Sequence, residues 1–109
     1  MGVPVEVTDA TFADVVLAGG TVLVDFRSPS CGPCQVISPI VDALGAELGD
    51  RVTIARVDVD ESVVTAGQYG IFSLPTLLVF QDGREVERMI GSRRREEIAA
   101  TVGRYLAQV

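Results

Sequence analysis

The chain has two cysteines, Cys31 and Cys34, separated only by Gly32 and Pro33, and they fall where one backbone periodicity gives way to another. Before them, Thr21-Val22-Leu23-Val24-Asp25-Phe26 is a short apolar run rich in β-branched residues, introduced by Gly19-Gly20, which reads as a buried strand. After them, Val36, Ile37, Ile40, Val41, Leu44 and Leu48 recur at the helical period. The spacing predicts a helix from about Cys31 to Leu48, with Cys31 at its start and Cys34 one turn further in.

That position decides the chemistry. The reactive form of cysteine is the thiolate, and the free N–H groups and positive dipole end of a helix favour an anion. Cys31 is therefore expected to be acidic and partly exposed, and Cys34 more buried. Pro33 suits a first helical turn, where its missing N–H costs nothing, and Gly32 leaves room for another chain to approach Cys31. A dithiol so placed attacks a disulfide with one sulfur and resolves the mixed disulfide with the other. Structural zinc needs four ligands; with no histidine and no third cysteine, one chain does not supply them. A purely structural disulfide is a poor alternative, because so short a loop restrains little of the unfolded chain.

The 109 residues predict a single domain, spanning 1–109, and 48% apolar residues supply its core. Net charge is −6, which argues against nucleic acid or an anionic membrane as partner. No run approaches the ~18 apolar residues of a membrane span, and the N-terminus lacks a signal-peptide pattern, so a cytoplasmic protein is expected. Every basic residue is Arg, a bias that fits genomic base composition better than a function.

In order, residues 3–7 read as a strand, and Thr8 or Asp9 as the cap of a helix carrying Phe12, Val15, Val16 and Leu17. The strand at 21–26 and the long helix follow, with Pro39 expected to kink the helix and Gly49 to close it. Residues 51–60 alternate as a strand, 61–68 form a short helix, and 76–81 are a further apolar strand. Asp82-Gly83 is a hairpin signal, and 84–90 the partner strand. Ser92 is expected to cap a last helix with Ile98, Val102, Tyr105, Leu106 and Val109 on one face. Arg93, Arg94 and Arg95 would open that helix as a solvated face, partly offset by Glu96 and Glu97. The βαβαβαββα order implies an α/β fold: parallel strands early, an antiparallel hairpin late, helices on both faces.

Val-Asp-Phe-x-x-x-x-Cys-Gly-Pro-Cys, with Pro39 in the helix and Leu74-Pro75-Thr76 downstream, resembles the thioredoxin family over nearly the whole chain. The resemblance implies a thioredoxin fold, a central mixed five-stranded sheet flanked by four helices. It implies a protein-disulfide reductase, an enzyme in which Cys31 is the nucleophile, Cys34 resolves and Asp25 assists proton transfer. It also implies a cis Pro75 facing the cysteines, and a shallow substrate patch of Gly32, Pro33, Ser73, Leu74, Ile90 and Gly91. No cofactor or metal would be bound; electrons would come from NADPH through a flavoprotein thioredoxin reductase. Partners would be that reductase and disulfide-containing proteins, with the chain itself a monomer.

Asp25 stands in an otherwise apolar strand, where desolvation would raise its pKa. Arg56 is the candidate ion-pair partner that would oppose this. The family usually carries Trp where this chain has Arg27 and Ser30. Arg27 is expected either to favour the Cys31 thiolate or to pair with Asp58 or Asp60. The missing Trp pair motivates one alternative, a specialised relative with altered redox poise or one dedicated partner; a second is a non-catalytic binding subunit, against which both cysteines, Asp25 and Pro75 argue.

Overall fold

The computed structural model describes residues 3–106. Its centre is the strand β2, Thr21–Arg27, whose five middle residues are buried. A strand covered on both faces must be apolar almost throughout, which is why the pattern at 21–26 is a run rather than an alternation. Around it lie β1 (Val5–Val7), β3 (Thr53–Asp58), β4 (Thr76–Gln81) and β5 (Arg84–Ile90) in the order β1-β3-β2-β4-β5. The β1–β3 and β3–β2 pairs are parallel, and β2–β4 and β4–β5 are antiparallel.

Side chains of successive strand residues point to opposite faces. Leu23, Ile54, Leu77 and Val79 meet Ile37, Val41 and Leu44 of α2 (Cys34–Leu48) and Ile98 and Val102 of α4 (Arg95–Gly103). Val22, Val24, Phe26, Leu78 and Phe80 meet Phe12 and Val16 of α1 (Phe12–Val16) on the other face. There Phe12, Tyr69 and Phe80 form a ring cluster with centroids 5.3 to 5.9 Å apart. Tyr69 ends α3 (Val63–Gln68). This is the mixed five-stranded sheet flanked by four helices.

The element bounds differ from the sequence reading for local reasons. α2 begins at Cys34, not Cys31: Pro33 is its N-cap, and Cys31 lies in the preceding turn, its N–H donating to the Ser28 carbonyl at 3.1 Å. α2 continues through Pro39 and ends at Gly49, whose φ of 59° suits glycine. β3 stops at Asp58, because its side chain and carbonyl turn the backbone by accepting from Asp60, Glu61 and Ser62. Neither Thr8 nor Asp9 caps α1; Thr11 holds that position. Asp9 instead accepts from the N–H groups of Val64 and Thr65 and from the Thr65 hydroxyl, so it caps α3.

Ser92 does not cap the last helix. α4 starts at Arg95 with Arg94 as N-cap, which sets Glu96 and Glu97 in the first turn, where the dipole favours them. Only Arg95 of the arginine run is helical. It pairs with Glu47, Arg94 pairs with Glu97, and Arg93 folds back onto the carbonyls of Ile90 and Ser92. Tyr105 and Leu106 lie beyond α4 yet pack on the core, and Val109 falls outside the described residues.

Candidate active site

β2 runs out at Arg27 into the turn that carries the cysteines, so the rigid centre of the sheet positions them. Cys31 and Cys34 are joined by a disulfide, with Cα atoms 5.3 Å apart. The two sulfurs differ in access: Cys31 is half-buried, and Cys34 has no exposed surface. The N–H of Cys34, one of the free donors opening α2, points at Cys31 Sγ at 3.1 Å. Although Cys31 sits before the helix, its sulfur thus still receives a donor from the helix start. Ser28 and Ser30 hold the turn through their hydroxyls, 3.1 Å apart.

Register brings the other elements to this end of the sheet. Phe26 is opposite Thr76, and Thr76 is opposite Ile90. The Leu74–Pro75 peptide is cis. Gly91 donates to the Pro75 carbonyl at 2.8 Å, and Thr76 Oγ1 to the Ser73 carbonyl at 2.6 Å, which leaves the N–H and C=O of Leu74 out of these bonds. Gly91 has a φ of 85°, so a side chain there would be strained. Gly32, Pro33, Ser73 and Ile90 are exposed, whereas the Leu74 side chain turns partly into the core below. Phe72, absent from the sequence expectations, is 93% exposed on the same loop. An aromatic residue beside Ser-Leu-Pro was its only signal.

Asp25, in the middle of β2, is fully buried. Its Oδ2 accepts from Ser38 Oγ at 2.7 Å, while Oδ1 has no hydrogen-bond partner among the described residues. Burial holds this carboxyl above the usual carboxylate range. The Ser38 bond and then the charges of Arg27 and Arg56 oppose that rise, and Asp42 adds to it.

Arg56 is not the ion-pair partner of Asp25. The two are opposite in the β2–β3 register, but the guanidinium pairs with Asp42 on α2 and, at 3.7 Å, with Glu6 on β1. Arg27 pairs with neither Asp58 nor Asp60. It lines a cleft of about 190 Å³ together with Cys34, Ser38, Asp42 and Arg56, and its buried Nε has no hydrogen-bond partner among the described residues. Alternation explains this, since Leu23, Asp25 and Arg27 share the β2 face that looks toward α2. The sequence reading missed Ser38 and Asp42, whose importance depends on tertiary neighbours.

Two sulfurs that share one bond, one reachable and the other sealed beneath it, can pass that bond to another dithiol and take it back. A protein built around such a pair is a thiol–disulfide oxidoreductase. The comparisons narrow this further. The thioredoxin family model matches residues 3–104. A thioredoxin from Bacillus subtilis is 43% identical over 94% of this chain and 97% of its own length. Thioredoxin 1 from Synechococcus elongatus is 42% identical over 97% of this chain and all of its own. A mutant thioredoxin from Halobacterium salinarum superposes with a TM-score of 0.89 at 34% identity, covering 99% of this chain and 95% of that one. The chain belongs to the thioredoxin family, and its activity is thiol–disulfide reduction.

Proposed function

We propose that the chain works as one domain, reducing disulfides of other proteins, with Cys31 as nucleophile, Cys34 as resolving thiol and Asp25 as proton acceptor. The observation that carries this assignment is the asymmetry of the pair: a half-buried Cys31 above a fully buried Cys34. In the reduced protein, the Cys31 thiolate attacks one sulfur of a substrate disulfide, and the other substrate sulfur leaves with the electron pair. The Cys34 thiol then gives its proton to Asp25, and its sulfur attacks Cys31. The bond to substrate breaks, a second substrate thiolate departs, and the Cys31–Cys34 disulfide forms. Two electrons have passed to the substrate, and the buried proton has moved to a carboxylate whose own burial favours accepting it.

An extended substrate segment lies against Gly32, Pro33, Ser73, Leu74, Ile90 and Gly91. The open N–H and C=O of Leu74 offer it backbone hydrogen bonds, as an exposed strand does. Arg27 and Arg56 tune the site from beneath. A flavoprotein thioredoxin reductase supplied by NADPH returns electrons to Cys31. The protein acts as a monomer in the cytoplasm, where thiols are kept reduced; none of the described helices is long and apolar enough to cross a membrane.

Insulin disulfide reduction with dithiothreitol tests the assignment. Cys31→Ser loses turnover, and Cys34→Ser accumulates a mixed disulfide through Cys31. A Cys31→Ser variant that kept turnover would reverse the roles given to the two sulfurs.

A further inference from the structure

Ser38 lies four residues after Cys34 in α2, so the two side chains share one face of the helix, one turn apart. Both border the cleft that Arg27, Asp42 and Arg56 also line. A serine inside a helix commonly turns its hydroxyl to the carbonyl four residues back. This one instead crosses to the central strand and donates to Asp25 Oδ2 at 2.7 Å, from a residue only 6% exposed. The second oxygen, Oδ1, is buried and takes no bond from the described residues. The carboxylate is thus held by one oxygen and free at the other.

We propose that Ser38 is a positioning residue for the proton transfer between Cys34 and Asp25, fixing the carboxylate through Oδ2 so that Oδ1 receives the proton. This rests on the reading of Asp25 as the acceptor. When Cys34 gives up its proton, the O–H bond forms at Oδ1, and the Cys34 electron pair attacks Cys31. The Ser38 bond to Oδ2 persists in both protonation states, because a protonated carboxyl still accepts through its other oxygen. No side chain has to reorient during the step, which is the advantage of a preorganised acceptor. The charged groups around Asp25 are Arg27 on its own strand, Arg56 on β3 and Asp42 on α2. The two arginines pull the Asp25 midpoint down and Asp42 pushes it up.

The test compares Ser38→Ala and Ser38→Thr in the full chain. Resolution of a preformed mixed disulfide on Cys31 is followed against pH, and the Asp25 carboxyl is titrated by NMR in the reduced protein. Removing a donor to the carboxylate raises the Asp25 midpoint in Ser38→Ala by on the order of one pH unit, and the acid limb of the resolution rate moves up by the same amount. Ser38→Thr, which keeps the hydroxyl, returns both toward the parent. If Ser38→Ala changes melting temperature but neither midpoint nor limb, Ser38 is only a packing residue. Asp25→Asn separates the two layers. Should the acid limb survive in that variant, Asp25 is not the acceptor, and the proposal falls with it. A limb lost in Asp25→Asn but unmoved in Ser38→Ala overturns the role of Ser38 alone.

Discussion

Asp25 and Arg56 stand opposite each other across the β2–β3 ladder, yet the guanidinium of Arg56 binds Asp42 and Glu6 and leaves Asp25 to a hydroxyl. The carboxylate therefore keeps only through-space attraction from its nearest cations. Burial is the larger effect, and the group holds its proton to higher pH than an exposed aspartate does.

Stability is predicted to fall with pH on account of this group. With the folded pKa raised, the contribution is fully present below the unfolded value. It is lost as pH rises through the window up to the folded one, since the unfolded chain releases its proton first. Asp25→Asn should raise the melting temperature at neutral pH and have little effect in acid. Thermal melts of both proteins across that window check it; a gain independent of pH would assign the effect to something other than ionisation.

Arg27→Gln removes one of the two cations that pull the Asp25 pKa down, so the Asp25 midpoint should move further up. Because Arg27 lies in the cleft with Cys34, its effect should appear in the resolving step rather than in the first attack by Cys31. Stopped-flow rates for the two steps, measured separately, distinguish these. A slowed first attack with normal resolution would return Arg27 to the role of stabilising the Cys31 thiolate.

Asp9 ties the segment after β1 to the start of α3 through three bonds, two to Thr65 and one to Val64. Its pKa is lowered, chiefly by the Thr65 hydroxyl, so its contribution is present above the unfolded pKa and lost as pH falls through the folded one. Asp9→Ala should destabilise at neutral pH, and the difference from the parent should vanish in acid. Amide exchange in α3 should quicken in step.

Arg88 on β5 forks onto Glu85 at 2.9 and 3.0 Å and donates to the Tyr69 carbonyl at 2.7 Å, holding the start of the loop that leads to Pro75. Arg88→Ala frees that loop. The expected result is a raised KM for a protein disulfide with little change for a small aromatic disulfide, read in parallel assays. Equal losses on both substrates would show that Arg88 does not act through the loop.

Gly83 has a φ of 84°, and a Cβ there would meet the Leu17 carbonyl oxygen at 3.0 Å. Strain and contact act together, so Gly83→Ala should cost about 1–3 kcal/mol by urea unfolding. Activity per folded molecule should be unchanged, because the turn lies at the opposite end of β4 from Thr76.

Strands whose burial writes itself into composition were legible in the sequence. The apolar runs at 21–26 and 76–81 and the alternation at 84–90 fall within a residue of β2, β4 and β5, and Asp82-Gly83 makes the turn between the last two with both φ positive. Helix starts were less legible, because a cap is a tertiary choice as often as a local one. Asp9 looks like the cap of the helix that follows it but serves one 55 residues away. Cys31 looks helical by period, yet the backbone becomes helical only past Pro33. Within the site, the cysteines, Asp25 and Pro75 announce themselves by type and neighbours. Ser38 and Asp42 do not, since a serine or aspartate on a helix reads as solvated until a strand is packed against it.

The burial of Cys34 gives the molecule a single port. Whatever arrives, a protein disulfide, a reductant or a dissolved peroxide, meets the half-buried Cys31 sulfur first, while Cys34 has no exposed surface. A peroxide that converts Cys31 to a sulfenic acid leaves the Cys34 thiol intact, and condensation of the two, with loss of water, closes the disulfide. Damage and substrate enter by one route, and both end in the oxidised pair, which a reductant can reopen.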